Sequence, residues 1–144
     1  MVHSPCKFKF FLFPILTHGN PLRKNIEAGN AALAAGYDKA AAASLLVLWA
    51  ESHDTYMTDD SYLHSADTTQ ANISKTWALV AARADIMGLY FARPSNFYTT
   101  TMGTASLNTG WDFNEVKAVN LFHNAFVGQG EKVGNSGNIA YVIR

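Results

Sequence analysis

The feature that most constrains this chain is the unbroken apolar run Leu45-Leu46-Val47-Leu48-Trp49, which passes through Ala50 straight into Glu51-Ser52-His53-Asp54. An apolar run without alternation fits a strand buried on both faces, as in parallel α/β sheets. An unpaired buried charge is expensive, so either those residues sit at the mouth of a site or the strand reading is wrong. Side chains alternate along a strand. Glu51 and Asp54 therefore point to opposite faces unless the strand has already ended.

The flanking segments alternate in kind. Asn20 and Pro21 form an N-cap and first helical position. Leu22, Ile26 and Leu33 then share one helical face, weakened by Gly29 and closed by Gly36. After the run, Thr55–Thr69 is polar and turn-rich, a loop long enough to be functional. Ile73, Trp77, Val80 and Ala84 recur at helical steps across 70–84. Gly88 breaks the chain before a short apolar strand, Leu89–Ala92, and a second polar loop runs from Ser95 to Gly110. Asp112 reads as the N-cap of a helix over 112–127 with Val116, Val119, Leu121, Phe122 and Phe126 on its apolar face. The turn "NSGN" leads to a closing strand, "IAYVIR". Strand alternating with helix predicts a parallel α/β architecture. Both long loops then follow the C-terminal ends of strands, where barrel enzymes place their chemistry.

Composition removes some classes of function. The 144 residues carry eleven basic and eleven acidic side chains, which cancel. No global field attracts nucleic acid or an anionic membrane. The single Cys6 allows neither an internal disulfide nor a metal-ligand spacing. "KFKFFLFPIL", residues 7–16, is too short to span a bilayer. Its charged start and apolar centre are like those of a secretory signal, but no Ala-x-Ala site follows. The competing readings are a buried strand or a start unrelated to the rest.

His53 and Asp54 are the leading candidates for chemistry. A carboxylate there can stabilise a developing cation, and a neutral imidazole can donate to a substrate hydroxyl. Tyr56, Asp59 and Asp60 follow closely enough to reach a ligand, and Tyr56 is the one taken as a binding residue. Trp49 and Trp77 fall on apolar stripes and read as core. Trp111, at a loop-to-helix junction, fits either core or a platform on which a ligand ring stacks. His123 reads as a hydrogen-bonded structural histidine, and His64 has no assignment.

"LVLWAESHDTYMTDD" resembles the strand-seven signature of the α-amylase family of glycoside hydrolases, where a His-Asp pair ends a strand of the catalytic barrel. "TWALVAARADIMGLYFARP" is similar to the family's next helix and eighth strand. "AVNLFHNAFVGQGE" resembles its eighth helix, "GNIAYVIR" the entry to its C-terminal β-sandwich, and "HGNPLRKNIEAG" the helix before strand seven. The resemblance covers roughly residues 18–144 and implies a C-terminal fragment of a (β/α)8 TIM barrel, ending at the start of a β domain. The implied divisions are an unmatched segment 1–17, a partial barrel 18–134 and the start of a β domain, 135–144. By the same resemblance Asp54 is the third catalytic carboxylate, which stabilises the transition state, and His53 hydrogen-bonds sugar hydroxyls. The implied reaction is retaining endo-hydrolysis of α-1,4-glucosidic bonds in an α-glucan such as starch, outside the cell.

The rest of that machinery has no counterpart in these residues. A retaining glycosidase needs two carboxylates about 5–5.5 Å apart, which the family takes from strands four and five. Arg83-Ala84-Asp85 imitates the family's Arg-x-Asp nucleophile motif but lies at a helix end. The family's calcium ligands are also without counterpart, so no cofactor is expected in this chain. The expectation is a truncated, mis-started or frameshifted gene product, inactive alone, folding poorly or needing a complementary upstream polypeptide. The alternatives are a non-catalytic glucan-binding module and a complementing barrel subunit.

Overall fold

A computed structural model describes residues 15–35, 47–94 and 110–144. The elements in chain order are α1 (Ile15–Glu27), α2 (Ala31–Ala35), β1 (Val47–Leu48), α3 (His53–Met57), α4 (Gln70–Ala81), β2 (Met87–Gly88), α5 (Asn114–Ala125), β3 (Lys132–Ser136) and β4 (Ile139–Ile143).

β1 and β2 pair in parallel, Val47 with Met87 and Leu48 with Gly88. One further bond, Leu89 N to Leu48 O at 2.8 Å, extends the ladder. The predicted β–α–β alternation is therefore present, with α3 and α4 between the two strands. Among the described residues β1 stops at Leu48, before Trp49. Leu45 and Leu46 lie outside the described residues, as do 36–44 and 95–109. The predicted strand Leu89–Ala92 is a correction: pairing stops where β1 stops, and Gly88, read as a breaker, is inside β2. A Cβ at Gly88 would stand 2.8 Å from the Trp77 ring, so the glycine lets the strand lie flat against α4.

α4 supplies the core's centre. Thr69 caps it, accepting from Asn72 N, and Ile73, Trp77, Val80 and Ala81 form its buried stripe, joined by Leu22 and Ile26 of α1, Ile86 before β2, and Val116 of α5. Trp49 is buried too, so both predicted core tryptophans are in the interior. Side chains satisfy the carbonyls left open at α4's C-terminus, as helix ends require: His123 Nδ1 donates to Ala81 O (2.7 Å) and Arg144 to Ala82 O (3.2 Å). His123 has the structural role its sequence context predicts.

Three helix boundaries differ from expectation. α1 starts at Ile15 and carries Pro21 inside it, so Asn20 is not its cap. Proline without an N–H removes one bond from the ladder. Gly29, at φ +72°, ends α1, and Asn30 Oδ1 accepts from Leu33 N to start α2. The single predicted helix is thus two, and Leu33 is exposed. At α5 the N-cap is Phe113, with no side-chain bond, and not Asp112. The closing strand β4 is as predicted but pairs with β3, an antiparallel partner the sequence reading missed. Gly137, at φ +56°, makes the tight turn between them.

Candidate functional site

β1 ends at Leu48, and the chain has left the sheet before Glu51. The opposite fates of Glu51 and Asp54 follow from that turn. Glu51 is 2% exposed and receives both Nε and an Nη of Arg93, at 2.7 and 2.8 Å. Arg93 also donates to Ser65 O at 2.9 Å, and its guanidinium lies 5.3 Å from the centre of the Tyr56 ring. A charge-assisted, bidentate pair of this geometry is the strong kind of hydrogen bond. It joins the turn after β1 to the segment after β2.

Ser52 starts α3 with a reciprocal cap: its hydroxyl accepts from Thr55 N, and Thr55 Oγ1 accepts from Ser52 N. Capping boxes of this type fix the direction in which a helix leaves the chain. Here the cap sets His53 and Asp54 on the first turn of α3, facing solvent, with side chains 75% and 69% exposed and Nε2 and Oδ1 3.1 Å apart. The imidazole and the carboxylate are therefore together, accessible and just past the C-terminal end of β1. They sit on a short helix and not on the strand itself.

Tyr56 belongs to α3 and not to a loop. It is buried, with its ring 5.5 Å from that of Phe91. It packs between Phe91 and the Arg93 guanidinium. Asp60 accepts from the backbone N–H groups of Tyr62 and Leu63 (2.9 and 3.1 Å) and so closes a turn. Asp59 is exposed and lines a polar pocket of ≈ 550 Å³ with Lys24, Glu27, His64 and Asp67. His64, without a sequence assignment, holds Thr58 O through Nδ1 at 2.6 Å.

Arg23 went unremarked in the sequence, yet it organises the loop. It is fully buried and donates to His64 O and Leu63 O (both 2.8 Å), to Asn20 Oδ1 (3.2 Å) and to Thr68 Oγ1 (3.3 Å). Burial lowers its pKa from the ordinary value, opposed by the nearby charges of Glu27 and Glu51. The available signal was an arginine between Leu22 and Ile26 on a helix's apolar face. Glu51 was signalled by its place after an apolar strand, but its partner, some forty residues away, was not. Arg83 pairs with Glu131 at 3.0 Å, which makes the nucleophile-like Arg83-Ala84-Asp85 segment a structural anchor.

Among the described residues no three His, Cys, Asp or Glu side chains converge to hold a metal ion. Among the described residues, too, no helix is long and apolar enough to cross a membrane.

Comparison with known proteins bears on what this site is. No protein-family model matches the chain. It is 31% identical over 138 residues to an α-amylase of Butyrivibrio fibrisolvens, a match covering 83% of this chain. The chain is related to the α-amylases. A second α-amylase, from Clostridium acetobutylicum, is 39% identical over 80 residues, or 54% of this chain. The matches span only 14% and 10% of those two α-amylases. The relationship therefore concerns a segment of a much longer protein, and it agrees with the resemblance carried by the "ESHDTY" stretch.

Proposed function

We propose that this chain forms the last part of the catalytic (β/α)8 barrel of an α-amylase-like glycoside hydrolase, residues 18–134, followed by entry into a β domain. The observation that supports this best is the exposed His53–Asp54 pair on a capped turn just beyond a parallel strand. In that reading β1 and β2 are adjacent barrel strands, and the pair faces the barrel's open end. Asp54 places negative charge against the oxocarbenium-like transition state, and His53 donates to a sugar hydroxyl. The substrate is an α-1,4-glucan of the starch type, and the site of action is extracellular. Tyr56 is buried and is withdrawn as a binding residue.

Asp54 supplies one carboxylate. The reaction also needs a nucleophile and an acid placed about 5–5.5 Å apart, contributed by barrel segments without counterpart here, as are the family's calcium ligands. The 144-residue polypeptide, assayed by itself on soluble starch, is expected to be inactive. Mixing it with a polypeptide that supplies the upstream barrel should produce activity, abolished by Asp54→Asn in this chain. Robust hydrolysis by this chain alone would overturn the proposal. The exposure of the pair also favours a second reading, a glucan-binding module. Its signature is a saturable maltooligosaccharide-binding phase that is lost in His53→Ala, with no activity on mixing.

A further inference from the structure

A second cavity, of ≈ 590 Å³, opens between α4, β2 and α5. Neither His53 nor Asp54 lines it. Its walls are aromatic: Trp77 and Tyr90 meet edge to face with centroids 5.1 Å apart, and Tyr90 and Trp111 lie at the same distance. Trp111 remains 53% exposed at the mouth. Among the described residues, no Asp, Glu, Lys or Arg lines the cavity. Burial pushes the Tyr90 hydroxyl up to about 12, so it too is neutral.

The polar groups there have fixed roles. Trp77 Nε1 donates to Asn120 Oδ1 at 3.0 Å, which orients Asn120 with its NH2 group as the remaining donor. His123 Nδ1 carries a proton, because its partner Ala81 O can only accept. In the neutral ring Nε2 is then an acceptor. Asn124, exposed on the next position of α5, offers both functions. Donor, acceptor and carboxamide thus line a cavity whose other surfaces are aromatic and aliphatic.

We propose that this cavity binds a neutral saccharide, one or two rings long, with a ring face against Trp111. The volume suits such a ligand, since small-molecule pockets run from about 300 to 1,000 Å³. An aromatic wall favours the C–H face of a sugar ring. The amides and the imidazole match hydroxyls, which both donate and accept. A wholly apolar ligand would bury those polar groups unpaired, which is costly. A phosphorylated or acidic sugar would find no lysine or arginine counter-charge among the described lining residues. This site is separate from the His53–Asp54 pair and does not rest on the role given to that pair.

The test is titration of the whole 144-residue chain with maltotriose, followed by isothermal titration calorimetry, with D-glucuronate and indole as comparison ligands. To isolate this cavity, the titration is run in the His53→Ala background. Saturable binding is expected there, weakened about tenfold by Trp111→Ala, a change typical of an aromatic anchor. Asn124→Ala should weaken it several-fold. Both residues are exposed, so the unfolding midpoint should stay put. If Trp111→Ala shifts it, Trp111→Phe, which keeps a flat face, should retain affinity. Absence of maltotriose binding in the His53→Ala background overturns the proposal. So does binding indifferent to Trp111→Ala, or tighter binding of indole or glucuronate than of maltotriose.

Discussion

Glu51 and His53 are two positions apart, yet one is sealed in the interior and the other stands in solvent. The difference lies in Arg93, which meets the Glu51 carboxylate with two nitrogens and lets it be buried. Removing one partner of such a pair leaves an uncompensated charge, at a cost of about 3–5 kcal/mol. Glu51→Gln is expected to lower stability by that order, seen as a fall in the denaturant midpoint. The double variant Glu51→Leu/Arg93→Met should recover much of the loss, because it leaves no buried charge behind. Glu27 gives a pH dependence. Burial acts to raise its pKa, but hydrogen bonds from Thr68 and Lys24 and the charges of Lys24 and Arg23 outweigh it and hold the carboxyl below its ordinary value of 4.5. A carboxyl depressed on folding adds stability that is full above its unfolded value and is lost as pH falls through the folded one. Urea midpoints are expected to decline on acidification below 4.5, and Glu27→Gln should flatten that part of the profile.

The elements owe their limits to neighbours as much as to propensity. α4 begins where its apolar stripe predicts because the stripe, the Thr69 cap and the packing against α1 and α5 agree, but it ends at Ala81, short of Ala84. β2 is different. Its residues Met87-Gly88 have little strand propensity of their own, and the ladder to β1 together with contact on Trp77 sets their conformation. Gly88→Ala would drive a methyl group into that ring. Overpacking of this kind costs about 1–3 kcal/mol. Chemical denaturation should report that loss, whereas Gly130→Ala, where a Cβ meets nothing within 4 Å, should change stability far less. The hairpin β3–β4 shows the same dependence on context: Asn138 Oδ1 accepts from Ala31 N at 2.9 Å, so its turn is tied to α2.

At the scale of the molecule, β1 and β2 form a two-stranded parallel sheet. Parallel sheets are ordinarily covered on both faces, but here Met87 is 68% and Leu89 54% exposed. An uncovered apolar strand invites pairing with another chain. Self-association that grows with concentration is expected in sedimentation analysis. Met87→Lys with Leu89→Lys should shift the protein toward monomer, since charge on an edge blocks pairing. A monomer unaffected by concentration or by these changes would contradict the argument.

The pattern of residues alone determined a β–α–β alternation, a helix beginning at Gln70, the interior places of Trp49 and Trp77, and the pairing of His53 with Asp54 beside a strand end. These are local properties, fixed by periodicity and by sequence neighbours. Tertiary structure alone decided that α1 runs through Pro21, that Tyr56 is buried, and that β3 pairs with β4. It also decided that Glu51 and Arg23 are buried. Each of these depends on a partner distant in sequence (Arg93 for Glu51, the 62–68 turn for Arg23), and a charge is stable in the interior only where the fold brings such a partner to it.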